Sequence, residues 1–288
     1  LLDQVRNDVA ARVQAHLEAE IGRYGGVVAE AMAYASRGGK RLRALFVMEG
    51  ARLHGVAPDH AIWPAAAIEA LHAYSLVHDD LPCMDDDDER RGMPTVHKQW
   101  DYATAVLAGD ALQTLAFELV TDGRGHPDGA VRADLALTLA RAAGAGGMVL
   151  GQAMDIAAET ADSPLTLAQI TALQAGKTGA LITWSACAGP LMARDDTGAM
   201  KTYGDCVGLA FQIADDVLDV EGDADMVGKA VGKDAAAGKA TFVSLLGLDA
   251  AKRRAADLVT EACDALSAYG GEAETLRQAA RFVIARDS

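Results

Sequence analysis

Apolar residues recur along this chain at intervals of three and four, the spacing that gathers them on one face of an α-helix. Ala251, Ala255, Leu258, Ala262 and Leu266 keep that rhythm, while Lys252, Arg253, Asp257 and Asp264 fill other faces. Residues 103–120 repeat it, with Val106, Leu107, Ala111, Leu115 and Leu119 as the apolar set. From Ala61 to Asp80 the chain is apolar on most sides, which predicts a buried central helix. No sustained alternation marks a strand. Gly, Pro, Asp and Ser cluster at Gly25-Gly26, Gly38-Gly39, Pro58-Asp59, 123–129, 162–164, 195–198 and 222–238, where breaks are expected. None reads as an interdomain linker, so the pattern predicts one all-α domain of about ten helices.

Composition narrows how that domain is built. Hydrophobic residues make up 51% of the 288 but aromatics only 5%, so Ala, Leu, Val and Ile must form the core, and Ala above all favours helix. A net charge of −15 argues against a nucleic-acid partner, whose binders are normally basic. No apolar run is read as long enough to cross a bilayer, so no membrane partner is expected. Cys83, Cys187, Cys206 and Cys263 form no Cys-x-x-Cys pair, which signals neither zinc nor a disulfide framework; they read as reduced thiols of a cytoplasmic protein. Leu1-Leu2-Asp3-Gln4 shows no basic stretch followed by an apolar one, and carries no functional argument.

The chemistry lies in two aspartate clusters. One runs from His78-Asp79-Asp80-Leu81-Pro82-Cys83-Met84-Asp85 through Asp86, Asp87, Asp88 and Glu89; the other is Asp215-Asp216-Val217-Leu218-Asp219. Clustered carboxylates repel unless a cation compensates, and within apolar sequence they suggest magnesium serving a phosphate. Asp215, Asp216 and Asp219 have the three- and four-residue spacings of neighbours on a helix. Asp79 and Asp80 end the buried helix where its dipole is already negative, which calls for something positive, and a metal would serve. Pro82 breaks the helix, so Asp85 returns from a tight loop. Asp79, Asp80 and Asp85 are the metal candidates there, with Asp86 to Glu89 read as solvated loop. His72, about 20° from Asp79 on an ideal wheel, shares its face; a satisfied core histidine is an equal reading of the same spacing. His78 beside Asp79 raises a histidine–aspartate metallohydrolase, but further histidine ligands have no sensible spacing. Cations gather in Gly38-Gly39-Lys40-Arg41-Leu42-Arg43, Arg90-Arg91 and Gly176-Lys177-Thr178, and as Lys229, Lys233 and Lys239 in a Gly-rich stretch. Together with the carboxylates they describe a site for anions bridged by metals.

This ordered set resembles the trans-isoprenyl diphosphate synthases, most closely the bacterial short-chain farnesyl diphosphate synthases. The resemblance covers nearly the whole chain. It rests on residues 38–43, on Leu-Val-His-Asp-Asp-Leu-Pro-Cys-Met-Asp-Asp-Asp-Asp at 76–88 with Arg90-Arg91-Gly92, and on 108–112, Gly151-Gln152-Ala153-Met154-Asp155, 177–180 and 211–216. It implies a single polyprenyl synthetase domain over residues 1–288: an antiparallel bundle of helices around a central cavity, usually a homodimer. It implies head-to-tail condensation of isopentenyl diphosphate with an allylic diphosphate, with about three magnesium ions bridging the allylic diphosphate to both aspartate clusters. Carried over, Asp79, Asp85 and Asp215 are direct magnesium ligands, and Asp80, Asp216 and Asp219 water-mediated or outer partners. Arg90, Lys177, Lys229 and Lys239 contact the allylic diphosphate, with Thr178 and Gln212 beside the reacting carbon. Lys40, Arg43, His72 and Arg91 form the isopentenyl diphosphate site. Lys233 has no counterpart.

The chain departs from the family at Ala44, at Thr241-Phe242-Val243 and at Trp100-Asp101-Tyr102, none of which removes a charged site residue. Tyr74 and Ser75 occupy the positions that set product length in the family, and a bulky aromatic there implies a C15 product. Ideal helix geometry places Ser75 about 40° from Asp79 but Tyr74 about 140° away, so Tyr74's role rests on the resemblance. C20 and C10 products are the alternatives. A class I terpene cyclase would need a different second metal motif and leaves Lys40 and Arg43 unexplained. A non-catalytic subunit of a heteromeric synthase would commonly lack one aspartate motif, and this chain has both.

Overall fold

The computed structural model describes residues 1–161, 163–221 and 240–285. Among them the only strands are Glu89–Arg90 (β1) and Met93–Pro94 (β2), a two-residue antiparallel pair, and the fold is all-α. The chain divides into two compact units, Leu1–Ala136 with Ala188–Asp195, and Leu137–Cys187 with Asp196–Ser288.

The first unit holds helices α1 (Leu2–Ile21), α2 (Val27–Ala35), α3 (Leu42–Leu53), α4 (Pro58–Asp79), α5 (Val96–Gln99) and α6 (Tyr102–Thr121). The expected central helix is α4, in which Ala65, Ala66, Ala67, Ile68, Ala70 and Leu71 are all fully buried. The break expected at Pro58-Asp59 falls just before it, at 54–57, and Pro58 opens α4, where its missing N–H leaves no bond unmade. Asp101 caps α6 by accepting the Thr104 N–H at 2.7 Å.

The apolar face of α6 is rotated from the expected one. Ala105, Ala108, Leu112, Leu115 and Leu119 are buried, while Val106 and Leu107 are 41% and 51% exposed. The reason is close approach to α4. His78 Nε2 donates to the Val106 carbonyl oxygen at 3.0 Å, and a Cβ on Gly109 would stand 2.1 Å from that nitrogen. Small residues must face α4, so the larger apolar ones turn outward. This contact also gives His78 a packing role in place of the metal-ligand role considered from sequence. α6 and the stretch Gly129–Glu159 do have the length and apolarity of a membrane span, contrary to the sequence expectation; half of the α6 window is buried within the protein, as a core helix would be.

Helices α7 (Gly129–Ala143) and α10 (Ala180–Ala193) contribute residues to both units. The second unit contains α8 (Met148–Glu159), α9 (Leu167–Gln174), a π turn (Ala175–Gly179), α11 (Gly198–Glu221), α12 (Phe242–Leu246), α13 (Leu248–Ala265), a 3₁₀ segment (Ser267–Ala273) and α14 (Glu274–Ala285). Thr166 and Gln169 form a capping box that starts α9. α13 buries the expected Ala251, Ala255, Leu258 and Ala262, with Leu266 just past its end. The fully buried Tyr203 of α11 donates its hydroxyl to the Leu276 carbonyl of α14 at 2.8 Å. All four cysteines are free thiols; burial pushes Cys187 up to about 12 and Cys206 up to about 11. The break expected at 222–238 lies outside the described residues.

Candidate active site

In the first unit the C-terminal half of α4 presents His72, Ser75 and Asp79 within two turns, and Asp80 caps it. The Asp85 N–H donates to the Asp79 carbonyl at 2.8 Å, and Met84 N–H to Leu81 at 2.8 Å, so the backbone folds back tightly after Pro82. This brings Asp85, an exposed residue, next to the half-buried Asp79.

Asp80 takes a different part. It is buried, and its Oδ1 accepts Arg90 Nε at 2.7 Å and Nη2 at 2.6 Å. For Asp80, Arg90 supplies a positive partner at the end of α4. Burial pushes the Asp80 carboxyl up, while the Arg90 bond opposes that shift.

Arg90 and Arg91 diverge because a two-residue turn separates β1 from β2. Arg91 and Gly92 both hold left-handed backbone, φ 54° and 72°, as a primed hairpin turn requires. Arg90 thus points to Asp80, while Arg91 Nη1 donates to the Arg37 carbonyl at 3.1 Å. The Arg91 guanidinium lies over Gly39, where a Cβ would come within 2.8 Å of Nη2; Gly39 also holds φ 88°, so only glycine serves there. A cavity of about 220 Å³ lies alongside, lined by Gly38, Gly39, Leu76, Asp80, Arg90 and Arg91 among others.

His72 belongs to this cationic group. Burial holds its imidazole well below the ordinary histidine range, and the nearby Arg43 and Arg91 push the same way. It is a neutral ring among cations at pH 7. The structure thus brings together Arg43, His72 and Arg91, while Lys40 is exposed at the start of the same turn.

Of the residues read as product-length determinants, Ser75 turns its hydroxyl to its own helix, donating to the His72 carbonyl at 2.8 Å. Tyr74 is buried; its ring meets His78 edge-on at 5.4 Å, and its hydroxyl hydrogen-bonds Gln113 of α6.

Asp86 and Asp88, read as solvated loop, are exposed and lie in the loop before β1. Their carboxylates and a ring nitrogen of the buried His97 lie within 4.8 Å of one another. Asp88 is also paired with Lys98 at 2.9 Å, and Thr95 Oγ1 pins the loop by donating to the Asp87 carbonyl at 3.0 Å.

In the second unit α11 carries Gln212, Asp215 and Asp219 along one stripe, each half-buried. Asp216 points elsewhere: it is buried, and its Oδ2 accepts the Phe242 N–H at 2.7 Å, docking the start of α12. Lys177 and Thr178 sit in the π turn, a wide turn that often marks functional positions. Thr178 Oγ1 donates to Gln212 Oε1 at 3.1 Å, joining two predicted residues. Lys177 Nζ pairs with Asp155 of α8 at 2.6 Å, the last residue of the Gly151-Gln152-Ala153-Met154-Asp155 motif. Lys229, Lys233 and Lys239 lie outside the described residues.

The aspartates are hard oxygen donors of the kind magnesium takes. In each cluster one carboxylate, Asp80 or Asp216, is buried on a protein donor and braces its element. Asp79, Asp85 and Asp215 are half-buried or exposed. Each cluster, within its own unit, offers oxygen donors that fit a hard divalent cation.

Residues 26–278 match the family model described as polyprenyl synthetase. The chain is similar to the farnesyl diphosphate synthase of Haemophilus influenzae, at 42% identity over 97% of each chain. It is also similar to a chloroplastic geranylgeranyl pyrophosphate synthase of Arabidopsis thaliana, at 39% identity over 82% of this chain and 67% of that one. Among solved structures it is similar to an FPP/GFPP synthase from Zymomonas mobilis, with a TM-score of 0.90 and 44% identity over 98% of both chains. On the extent of these matches, the chain belongs to the polyprenyl synthetase family.

Proposed function

We propose that the protein is a short-chain prenyltransferase that condenses isopentenyl diphosphate head-to-tail with dimethylallyl and geranyl diphosphate to make the C15 product, farnesyl diphosphate. The observation that carries this reading is the pairing, within the first unit, of two different anion-handling groups. Asp79 and Asp85 are acidic and can meet a diphosphate only through a cation. Arg43, His72 and Arg91 are cationic or neutral and can meet one directly. Two such groups suit two diphosphates, whereas a cyclase has one.

Asp79, Asp85 and Asp215 hold magnesium, with Asp80, Asp216 and Asp219 as outer partners. When bound, magnesium supplies the positive charge that stabilises a departing diphosphate. Arg90 and Lys177, with Lys229 and Lys239, contact the allylic diphosphate; Asp80 and Asp155 orient the first two. Thr178 and Gln212 lie beside the reacting carbon. Lys40, Arg43, His72 and Arg91 hold isopentenyl diphosphate, and His72 does so as a neutral donor. The allylic C–O bond breaks, the isopentenyl double bond attacks the allylic carbon, and the released diphosphate takes the proton. Apolar walls exclude the water that would trap the cation. Tyr74 and Ser75 limit chain length. The enzyme acts in the cytoplasm and as a homodimer; for the homodimer, the support is the exposure of three large apolar side chains of α6, Tyr102, Val106 and Leu107.

One incubation tests this: purified protein with isopentenyl diphosphate, each allylic diphosphate in turn, and Mg²⁺, followed by product sizing. Farnesyl diphosphate is expected. A dominant C20 or C10 product overturns the length assignment. A cyclic hydrocarbon from one diphosphate identifies a cyclase, and no turnover by the chain alone identifies a non-catalytic subunit.

A further inference from the structure

Of the three cations in Lys40-Arg41-Leu42-Arg43, Arg41 turns inward. It holds left-handed backbone, φ 51° and ψ 32°, at the N-cap of α3, and its side chain and that of Glu69 are each 5% exposed. Nη1 donates to Glu69 Oε2 at 3.1 Å; Nη2 donates to Gln14 Oε1 at 2.7 Å and to the Ser36 carbonyl. α1, the end of α2 and α4 thus converge on one guanidinium.

The second oxygen of Glu69, Oε1, accepts the N–H of Ala44 at 3.0 Å. Ala44 is the third residue of α3, and Arg41 makes no side-chain cap bond of its own. Glu69 therefore supplies from a neighbouring helix the acceptor that an N-cap Ser or Asp would supply locally, with its charge at the favourable end of the α3 dipole. Burying both charges is costly, and apolar side chains would fill the same space as well. What the pair adds is geometry. It clamps a left-handed residue that would otherwise relax, and it fixes where α3 starts relative to α4. Arg43 is in the first turn of α3, Lys40 immediately precedes Arg41, and His72 lies one turn beyond Glu69 on α4.

We infer that the buried Arg41–Glu69 pair is a positioning device that aims Lys40 and Arg43 at a diphosphate. This deepens the proposed function and rests on its assignment of Lys40, Arg43, His72 and Arg91 as the isopentenyl diphosphate site.

The test is calorimetric titration of metal-free protein with inorganic diphosphate, beside steady-state turnover and thermal melting. Glu69→Gln keeps an oxygen for the Ala44 N–H and removes the charge opposite Arg41. Binding is expected to weaken about tenfold, as after Lys40→Ala, because misaimed groups lose affinity steeply. KM for the allylic diphosphate should stay within about twofold, a split that general destabilisation does not produce. The double variant Arg41→Met with Glu69→Met refills the buried space without charge; it too should bind about tenfold more weakly, and it decides the question if Glu69→Gln does not fold. A folded variant that binds diphosphate like the wild type, whatever its melting temperature, overturns the inference. So does wild-type protein that binds no diphosphate without metal. Should the wild type make no prenyl product yet the variants still lose diphosphate affinity, the substrate assignment fails and the positioning role stands.

Discussion

Replacing Tyr74 by Ala separates two roles that this ring could play. Tyr74 is 8% exposed, so truncation removes nearly a whole aromatic from the core. Aromatic-to-alanine changes in cores cost about 3–5 kcal/mol. The lost edge contact with His78 contributes about 0.5–1.5 kcal/mol of such a cost, and the lost hydrogen bond to Gln113 about 1 kcal/mol. A loss of about 4 kcal/mol, divided by about 2.1 cal/mol/K of unfolding entropy per residue over 288 residues, lowers Tm by roughly 7 °C. The variant remains folded at assay temperature if the protein has ordinary stability, about 5–15 kcal/mol. If the ring also closes the end of the product channel, the product lengthens from C15 to C20. Labelled isopentenyl diphosphate, extraction, dephosphorylation and chromatographic sizing read the length, while calorimetry reads Tm. Tyr74→Phe is the control: it keeps the ring, loses about 1 kcal/mol with the hydroxyl, and should keep the C15 product. A Tyr74→Ala variant with the lower Tm and an unchanged C15 product would refute the length role. The ring would then serve only to fasten α4 to α6, the direction in which the structure shows it turned.

Asp79→Ala or Asp215→Ala should lower turnover by roughly 10²-fold or more through lost metal charge, while near-wild-type rates in excess Mg²⁺ would reject the ligand assignment. A thiol reagent at neutral pH should modify the exposed Cys83 promptly and reach Cys187 and Cys206 only on unfolding, because burial keeps both protonated; rapid modification of Cys187 would contradict its packing. Arg124 holds the Asp122 carboxyl down to about 2 from 3.8, so this pair's stabilisation is present above 3.8 and fades as pH falls toward 2. Asp122→Asn should therefore melt less pH-dependently across that window, and an unchanged acid profile would discount the pair. His72 lies well below 6.5 when folded, so below pH 6.5 the unfolded chain takes up a proton that the folded chain refuses, and stability falls. Its imidazole NMR signals should stay fixed through pH 6.5, whereas a titration there would mean the ring is neither buried nor crowded by arginines.

Periodicity found α13 and α4 because their buried faces are made of residues that any hydrophobicity scale recognises. It found α6 but misjudged its face, since Ala105, Ala108 and Gly109 carry little apolar surface while Val106 and Leu107 carry much. Contact distance chose the side there, and distance is not written in composition. The aspartates were legible as clusters, but their division of labour was not. Asp80 and Asp216 are fixed by Arg90 and by a backbone N–H 26 residues away in sequence, partners that only folding reveals. Glu69 is visible in the sequence as a carboxylate within an apolar stretch, three residues before His72, and such a group needs a buried cation. Arg41 hid between two cations of the same motif.

The π turn at Ala175–Gly179 sets the phase of α9 relative to the start of α10. Such a turn accommodates one residue more than an α-helical turn does. Removing one residue there, Gly176 for example, would let α9 run into α10 as a regular helix. The residues upstream would then turn by about 100° and advance by about 1.5 Å relative to those downstream. Lys177 would leave Asp155, or Thr178 would leave Gln212, without any of the four being altered. The spacing of the chain at this point is thus as much a functional quantity as the identity of its side chains, and a one-residue deletion should be harsher than most substitutions nearby.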